Sequence, residues 1–335
     1  MTGVESIGSP LAWAGFIGFV LALLAVDLGV FHKQSHEVSA KEAGIWSGVW
    51  VSLALTFAGG MWAWSGPERA LEFTTGYLIE KALAVDNIFV FVVLFAALGI
   101  PARYQHRVLF WGVLGALVMR AVFILVGGAL LARFHWMLYV FGAVLAVTGV
   151  KLLFQREQES HPENNPVVRW FQRIVPITPQ LEGDRFSVVR DGRRYATPLL
   201  LALVAVEVSD LIFAVDSIPA IFAVTTDPFI VFTSNIFAIL GLRSMYFLLA
   251  NIITKFAYLK VGLAFVLMFV GAKMLLAGVV HLPILLSLGI IAAILAGSIG
   301  VSLLKAPRVE EPRPERQHVG PHRPKSRRAS TLASS

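Results

Sequence analysis

Cysteine is absent from the 335 residues of the chain, and its absence removes several classes of chemistry. Without a thiol the chain forms no disulfide, binds no metal through thiolate and performs no cysteine redox chemistry. No P-loop, nucleophile elbow or zinc-hydrolase motif occurs either, so we expect neither an enzyme nor a resident cofactor. Histidine is confined to the ends of the hydrophobic runs and to loops, which disfavours zinc, copper and haem sites. The eight histidines are His32, His36, His106, His135, His161 and His281 at run ends or in loops, and His318 and His322 in the tail.

Charged residues are also scarce. They make up 15% of the chain, against about 25% in an average soluble domain, while 57% of the residues are hydrophobic and the mean hydropathy is +0.74. This composition predicts an integral membrane protein, an all-α polytopic helix bundle with the lipid bilayer as its partner. The net charge of +7 resides mainly in loops and in the tail, so it does not indicate nucleic-acid binding. Hydrophobic runs long enough to span fall at 10–31, 44–65, 72–99, 108–131, 135–155, 198–224, 229–251, 259–280 and 283–304, about nine helices.

The sequence predicts one membrane domain with an inserted loop and a tail. Residues 1–304 form one transmembrane domain, into which the polar loop 156–197 is inserted. Alternating residues around Asp191-Gly192 predict a small β-hairpin in that loop. The tail 305–335 is rich in Pro, Arg and Ser and is expected to be disordered.

Lysine and arginine set the expected orientation. Nine spans would place most basic connections on one side, which the positive-inside rule assigns to the cytoplasm. The N-terminus is then outside and the C-terminus is cytoplasmic. The basic side carries Lys33, Lys41, Arg103, Arg107, the arginines of 156–197, Lys255 and the tail, and the other side little more than Arg69 and Arg133.

One acidic motif occurs twice inside hydrophobic runs. The first copy runs from Glu80 to Ile88 (EKALAVDNI) and the second from Asp210 to Ile218 (DLIFAVDSI). A charged side chain at the centre of a membrane helix costs about 2.5 to 3.5 kcal/mol on insertion scales, so four matched acids indicate a functional site. The candidate ligands are Glu80, Asp86, Asp210 and Asp216, with Asn87 and Ser217 beside them at matched positions.

The spacing inside each motif raises a geometric problem. Two acids six residues apart lie about 120° apart on a straight helix, so both cannot point to one site. A break at Pro219 would relieve this and would open backbone carbonyls as further oxygen ligands.

The duplication extends beyond the acids. Arg120 and Arg243 follow the two motifs, and Gly149-Val-Lys151 matches Gly271-Ala-Lys273. Helices three to five therefore repeat as helices six to eight. Because three is an odd number, the copies would enter the membrane from opposite sides, and such inverted repeats place their site at the midplane.

Oxygen ligands favour a hard divalent cation such as Mg, Ca or Mn. Glu207, three residues before Asp210, is a further ligand or proton acceptor, or else a partner for a buried basic residue. Arg120 and Arg243 are interpreted as counter-charges that hold the site together when no ion is bound, and Glu72 as a solvated acid near a helix end. The alternative is that the acids only form structural ion pairs, with Arg120, Arg243, Lys81 or Lys273.

The residues 80–90 (EKALAVDNIFV) and 207–220 (EVSDLIFAVDSIPA) resemble the TerC/Alx family of bacterial inner-membrane proteins. The resemblance covers roughly residues 10–304. It implies manganese export, carried by Glu80, Asp86, Asp210 and Asp216, and an association with tellurium resistance. No role carries over to the loop or the tail.

Two function classes therefore stand beside each other. The first is a secondary transporter that exports Mn²⁺ through a midplane carboxylate site. Crowded carboxylates bind either protons or a cation, so such a site suits proton coupling. The second is a non-transporting membrane scaffold, assembly factor or tellurium-stress factor, in which the charges serve helix recognition. Oxygen ligands alone do not separate Mn²⁺ from Ca²⁺.

Overall fold

The computed structural model describes residues 6–31, 39–134, 136–154, 166–178, 180–190, 192–250, 258–280 and 282–304. The predicted tail 305–335 lies outside them. The described chain is an all-α polytopic bundle with one small hairpin. Its elements are α1 (Pro10–Phe31), α2 (Ala40–Ser65), α3 (Pro67–Ala97), α4 (Ala102–Arg133), α5 (Met137–Phe154), α6 (Pro166–Ile174), β1 (Ser187–Arg190), β2 (Arg193–Ala196), α7 (Pro198–Phe222), α8 (Pro228–Leu240), α9 (Leu242–Leu249), α10 (Leu259–Leu275) and α11 (Ile284–Leu304).

Every predicted hydrophobic run coincides with a helix, except that 229–251 corresponds to the pair α8 and α9. These two helices meet at Gly241 with a bend of 41°. Within the described residues, five helices are long and apolar enough to cross a membrane, or six if the bent pair counts as one span. The count of nine spans stays a prediction.

The polar loop contains more structure than was predicted. The hairpin is confirmed, with β1 and β2 antiparallel and Arg190 opposite Arg193. Ahead of it lies the nine-residue helix α6, in a stretch whose polar sequence predicts a loop. Proline at its first position suits a helix start, and Phe171 packs against the core while Trp170 and Ile174 stay exposed.

Aromatic side chains join α1 and α2 to the centre of the bundle. The Phe57 ring lies 5.1 Å from Phe73 of α3 and 5.0 Å from Phe237 of α8, centroid to centroid. Phe16 of α1 packs on the same rings. Tilted and edge-on aromatic pairs contribute about 0.5 to 1.5 kcal/mol each beyond their buried area, so this cluster fixes the outer helices.

Helices α5 and α10 are in direct backbone contact. A Cβ at Gly271 of α10 would lie 2.7 Å from the Gly142 carbonyl oxygen, and one at Gly149 of α5 would lie 2.8 Å from the Ala264 carbonyl oxygen. Glycine is therefore required at both points, as in close helix pairs of membrane proteins. The two contacts are reciprocal, because Gly149 and Gly271 are the matched glycines of the sequence repeat, and Gly142 and Ala264 each precede them by seven residues.

Two further pairs of helices surround the acidic motifs. Helix α4 packs along α7, where Gly112 meets Val206. Helix α3 packs along α8, where Gly76 meets Ser234. Helices α3 and α7 also contact each other, as do α4 and α8, so the two motif helices lie side by side within a group of four helices.

Candidate functional site

A buried arginine joins the two acidic motifs. Arg120 of α4 donates from Nε to Asp210 Oδ2 (3.2 Å) and from Nη2 to Asp210 Oδ1 (2.9 Å). Its Nη1 donates to Glu80 Oε1 of α3. All three side chains are at most 3% exposed. Glu80 and Asp210 thus meet although they belong to different copies of the motif, with one guanidinium between them. These contacts define what we call the acidic centre: Glu80, Asp210, Arg120, Asn87, Ser217 and Asn235.

The polar residues beside the acids also face this centre. Asn87 donates from Nδ2 to Asp210 Oδ1 (3.3 Å), and Arg120 Nη1 donates to Ser217 Oγ (3.3 Å). Asn87 follows Glu80 by seven residues, as Ser217 follows Asp210. Seven residues are close to two full turns, so acid and polar residue share one helix face. The repeated unit of the centre is therefore an acid and a polar side chain two turns later.

The second acid of each motif is not seen in the acidic centre: Asp216 points away from it, and the side chain of Asp86 is not described. Asp216 Oδ1 accepts from Thr148 Oγ1 of α5 (3.0 Å) and makes no described contact with the acidic centre. The six-residue spacing explains this, since it rotates the side chain away from the face of Asp210. The side chain of Asp86, the matching acid of α3, lies outside the described residues. Among the described residues, no group of three acidic or histidine side chains is arranged to hold a metal ion.

Three atoms of the acidic centre are buried without a hydrogen-bond partner. They are Glu80 Oε2, Asn87 Oδ1 and Asn235 Nδ2. An unsatisfied buried polar atom costs about 1 to 3 kcal/mol, more for a charged group, so a native structure keeps it for a reason. Two of the three are oxygens with free lone pairs, and both adjoin Asp210 or its arginine. The acidic centre therefore keeps two buried oxygen acceptors that the described side chains leave unused.

Asn235 is a residue that sequence reasoning missed. It is fully buried on α8, and its Oδ1 accepts from Arg120 Nη1 (3.4 Å). A signal existed, because Thr233-Ser234-Asn235 is a polar triplet inside the apolar run 229–251. Thr148, the partner of Asp216, carried no comparable signal.

Glu207 lies beside the acidic centre, not inside it. It is half-buried on α7, three residues before Asp210, and its carboxylate fills the space that a Cβ at Gly115 of α4 would take. Among the described residues it has no hydrogen bond or ion pair. Glu207 is thus a second carboxylate between α4 and α7, on the helix pair that also holds Arg120.

The second arginine of the repeat lies in different surroundings from the first. Arg243 of α9 lines a small cavity with Leu24, Trp50 and Phe110. Its position follows the bend at Gly241, which redirects the chain just before Arg243. Lys81 is likewise directed away from the acids and donates to the Ala238 carbonyl oxygen (3.0 Å).

Helix α7 is continuous, so the expected break at Pro219 is wrong. The helix runs from Pro198 to Phe222 with Pro219 inside it. A proline removes one backbone donor, but its φ is compatible with a helix. Neighbouring helices of a membrane bundle tolerate such a residue. The structure therefore shows no unwound segment at Pro219 that would expose a run of backbone carbonyls.

A separate acidic network lies at the ends of α3 and α8, and it corrects the expectation that Glu72 is solvated. Glu72 is 7% exposed and accepts from Arg69 Nη1 (3.0 Å) and Thr225 Oγ1 (2.9 Å). Asp227 caps α8 by accepting from the Phe229 amide (2.9 Å). These acids have partners and serve structure.

Comparison with known proteins finds similar membrane proteins. Residues 65–310 match the integral membrane protein TerC family. An uncharacterized membrane protein of Myxococcus xanthus is 62% identical over 91% of this chain and 96% of its own length. The protein named "Putative membrane-bound redox modulator Alx" is 52% identical in Photorhabdus laumondii (88% of this chain, 94% of that one) and 50% identical in Escherichia coli K12 (87% and 94%). No solved structure matches.

Proposed function

Because the chain belongs to the TerC family of integral membrane proteins, we propose that it is a secondary transporter that exports a divalent cation, Mn²⁺, from the cytoplasm. The observation that carries the proposal is the acidic centre, where Glu80 and Asp210 meet and where Glu80 Oε2 and Asn87 Oδ1 are buried without partners. Carboxylate, amide and hydroxyl oxygens are the donors that Mn²⁺, Mg²⁺ and Ca²⁺ prefer. Mn²⁺ is the cargo, and the transporter needs no resident cofactor or catalytic residue.

The inverted repeat is part of this proposal. The reciprocal glycine contacts of α5 and α10 support it, as do the matched pairs α4–α7 and α3–α8. Two residue pairs support it further. Asn87 donates to Asp210, and Glu80 and Ser217 both accept from Arg120 Nη1. Because the repeat matches Glu80 with Asp210 and Asn87 with Ser217, it relates the first pair to the second. Inverted repeats of this kind build a shared site at the midplane and open it alternately to the two sides.

Proton coupling follows from charge. The acidic centre holds two carboxylates and one arginine, so one negative charge stays uncompensated by the described side chains. A proton on one carboxylate neutralises it, and a divalent cation that uses the same carboxylates competes with that proton. With the basic connections in the cytoplasm, the N-terminus is outside, the C-terminus is inside and the protein resides in the bacterial inner membrane.

Transport in vesicles tests the proposal. Glu80→Gln and Asp210→Asn remove the two charges of the acidic centre, so we expect Mn²⁺ flux to fall to background in both. Asp86→Asn and Asp216→Asn test the other acid of each motif. Glu72→Gln, which removes a buried carboxylate from the separate network, is the matched control and should transport normally. Undiminished flux in Glu80→Gln and Asp210→Asn would refute the assignment of the acidic centre.

A membrane scaffold is the second candidate, and the ion pairs of Arg120 favour it, because they satisfy most of the acidic centre without a metal. A scaffold should show no thermal stabilisation by Mn²⁺ in detergent, whereas a protein that binds Mn²⁺ is stabilised by mass action. A tellurium-stress role would be tested by growth on tellurite with Glu80→Gln.

The redox role in the relatives' name fits this chain only indirectly. The chain has no cysteine, so it can take no part in thiol exchange. Manganese is a redox-active transition metal, and its export would alter the redox state of the cytoplasm without a redox centre in the protein.

A further inference from the structure

Arg120 occupies the place where a cation would bind in the acidic centre. Its guanidinium contacts both oxygens of Asp210, one oxygen of Glu80 and the side-chain oxygens of Ser217 and Asn235. A metal ion that uses Asp210 needs the same lone pairs. Arginine stays positively charged at any physiological pH, so it cannot give up these contacts by losing a proton.

The charge balance favours replacement of the arginine. With Arg120 in place, a divalent cation between Glu80 and Asp210 would leave one excess positive charge and two cations in contact. With Arg120 displaced, the two carboxylates and the divalent cation are neutral together. In a buried site of low dielectric the neutral arrangement is strongly preferred.

A place for the displaced guanidinium exists one turn away. Glu207 lies three residues before Asp210 on α7, a rise of about 4.5 Å and nearly the same helix face. Its carboxylate faces α4 at Gly115, on the helix that carries Arg120. Among the described residues it has no hydrogen-bonding partner that would compete for it.

We propose that Arg120 is a resident cation that exchanges with the cargo, and that its guanidinium moves from Asp210 to Glu207 when the divalent cation binds. This step rests on the proposed function and adds a role for two residues. Glu207 acts as a positioning residue that accepts Arg120, and it is not a ligand of the metal. The oxygens released by Arg120, on Asp210, Ser217 and Asn235, join those of Glu80 and Asn87 around the cargo.

Mn²⁺ binding to the purified full-length protein in detergent tests the exchange by a double-mutant cycle. In Glu207→Gln the arginine loses its alternative partner, a charge-assisted contact, so we expect Mn²⁺ affinity to fall by about tenfold or more. In Arg120→Gln the competitor is gone, so Mn²⁺ should bind more tightly than to the wild type. In the double variant the loss caused by Glu207→Gln should disappear.

Each other outcome contradicts the exchange. An equal loss from Glu207→Gln with and without Arg120 would make Glu207 a metal ligand, and no loss at all would make it a bystander. Glu72→Gln, a buried glutamate outside the acidic centre, is the control and should leave the affinity unchanged.

Two arms keep the test decisive. If Arg120→Gln does not fold, Arg120→Lys replaces it: an ammonium cannot make the two-point contact with Asp210, so Mn²⁺ should again bind more tightly than to the wild type. Unchanged or weaker binding there would overturn the exchange. A wild-type protein that binds no Mn²⁺ would overturn the proposed function itself, whereas normal wild-type binding without coupling between the two variants would overturn only the exchange.

Discussion

At the scale of single residues, Arg120 is a fully buried cation paired with two buried carboxylates. Its two acidic partners are almost fully buried, so neither can be solvated when the arginine is removed. Breaking a buried ion pair by removing one partner costs about 3 to 5 kcal/mol, mostly because a buried charge is left unpaired. The stability of the acidic centre therefore depends on a cation being present, whether it belongs to the chain or not.

A stability measurement follows directly. We expect Arg120→Ala to lower the free energy of unfolding by about 3 to 5 kcal/mol in metal-free detergent and Mn²⁺ to restore part of the loss. Arg133→Ala, at the exposed end of the same helix, should change little. Thermal unfolding with and without MnCl₂ gives the answer, and a loss that Mn²⁺ does not reduce would show that the metal cannot replace the arginine.

Gly115 offers a way to move Glu207 without removing its charge. An added Cβ would collide with the Glu207 carboxylate, which is the flexible end of a side chain and can shift at low cost. We expect the free energy of unfolding of Gly115→Ala to lie within about 1 kcal/mol of the wild-type value. Its Mn²⁺ binding should nevertheless be weaker, as expected for Glu207→Gln. Gly128→Ala, whose Cβ would make an ordinary contact with Phe222 (3.7 Å), is the control on the same helix. Normal Mn²⁺ binding by Gly115→Ala would show that the position of Glu207 is unimportant.

At the scale of helices, the backbone contact between α5 and α10 determines what each position tolerates. A Cβ at Gly271 would lie 2.6 Å from the Ala146 amide nitrogen and 2.7 Å from the Gly142 carbonyl oxygen, and backbone atoms cannot step aside as a side chain does. The two helices would have to separate along their whole contact.

We therefore expect Gly271→Ala to destabilise the protein by about 1 to 3 kcal/mol, the usual cost of overpacking. Gly289→Ala on α11 meets open space and should be neutral or slightly stabilising. Thermal unfolding in detergent compares the two. Equal stability of both variants would mean that the helices separate freely.

Sequence patterns predicted the helices well because long apolar runs leave the backbone no other way to satisfy its hydrogen bonds in lipid. The repeated motif also predicted Glu80, Asp210, Asn87 and Ser217, which the structure brings together. The six-residue spacing indicated that one acid of the pair points away, but not that this acid is Asp216 or that its partner is Thr148, because that depends on how α7 is rotated against α5. The repeated motif also could not show that Arg120 and Arg243 have different surroundings. Those of Arg243 depend on the bend of 41° between α8 and α9, and no residue pattern specified its angle.

Helix α6 was missed for a related reason. It is nine residues long and rich in arginine, and it follows a polar stretch, so its composition is that of a loop. Its packing against the core through Phe171 is a tertiary effect that local propensity does not encode.

At the scale of the whole molecule, the missing cysteines make the topology directly testable. Any cysteine introduced into this chain is its only thiol, so the label found on the purified protein reports that position alone. Trp64 at the end of α2 and Arg193 in the hairpin are exposed, and the positive-inside rule places them on opposite sides. A membrane-impermeant maleimide added to intact spheroplasts should label Trp64→Cys and spare Arg193→Cys until the membrane is opened. The reverse pattern would invert the orientation and turn export into import.

The glycine contact between α5 and α10 has a mechanical consequence for the whole bundle. The backbones of these two helices touch with no side chain between them. They cannot slide past each other, because the carbonyls of Gly142 and Ala264 occupy the space that a side chain at Gly271 and Gly149 would take. They can still rotate about the line along which they touch. If the two halves of the bundle move as rigid bodies, that line is their axis of rotation. The displacement of any other helix then grows in proportion to its distance from this axis.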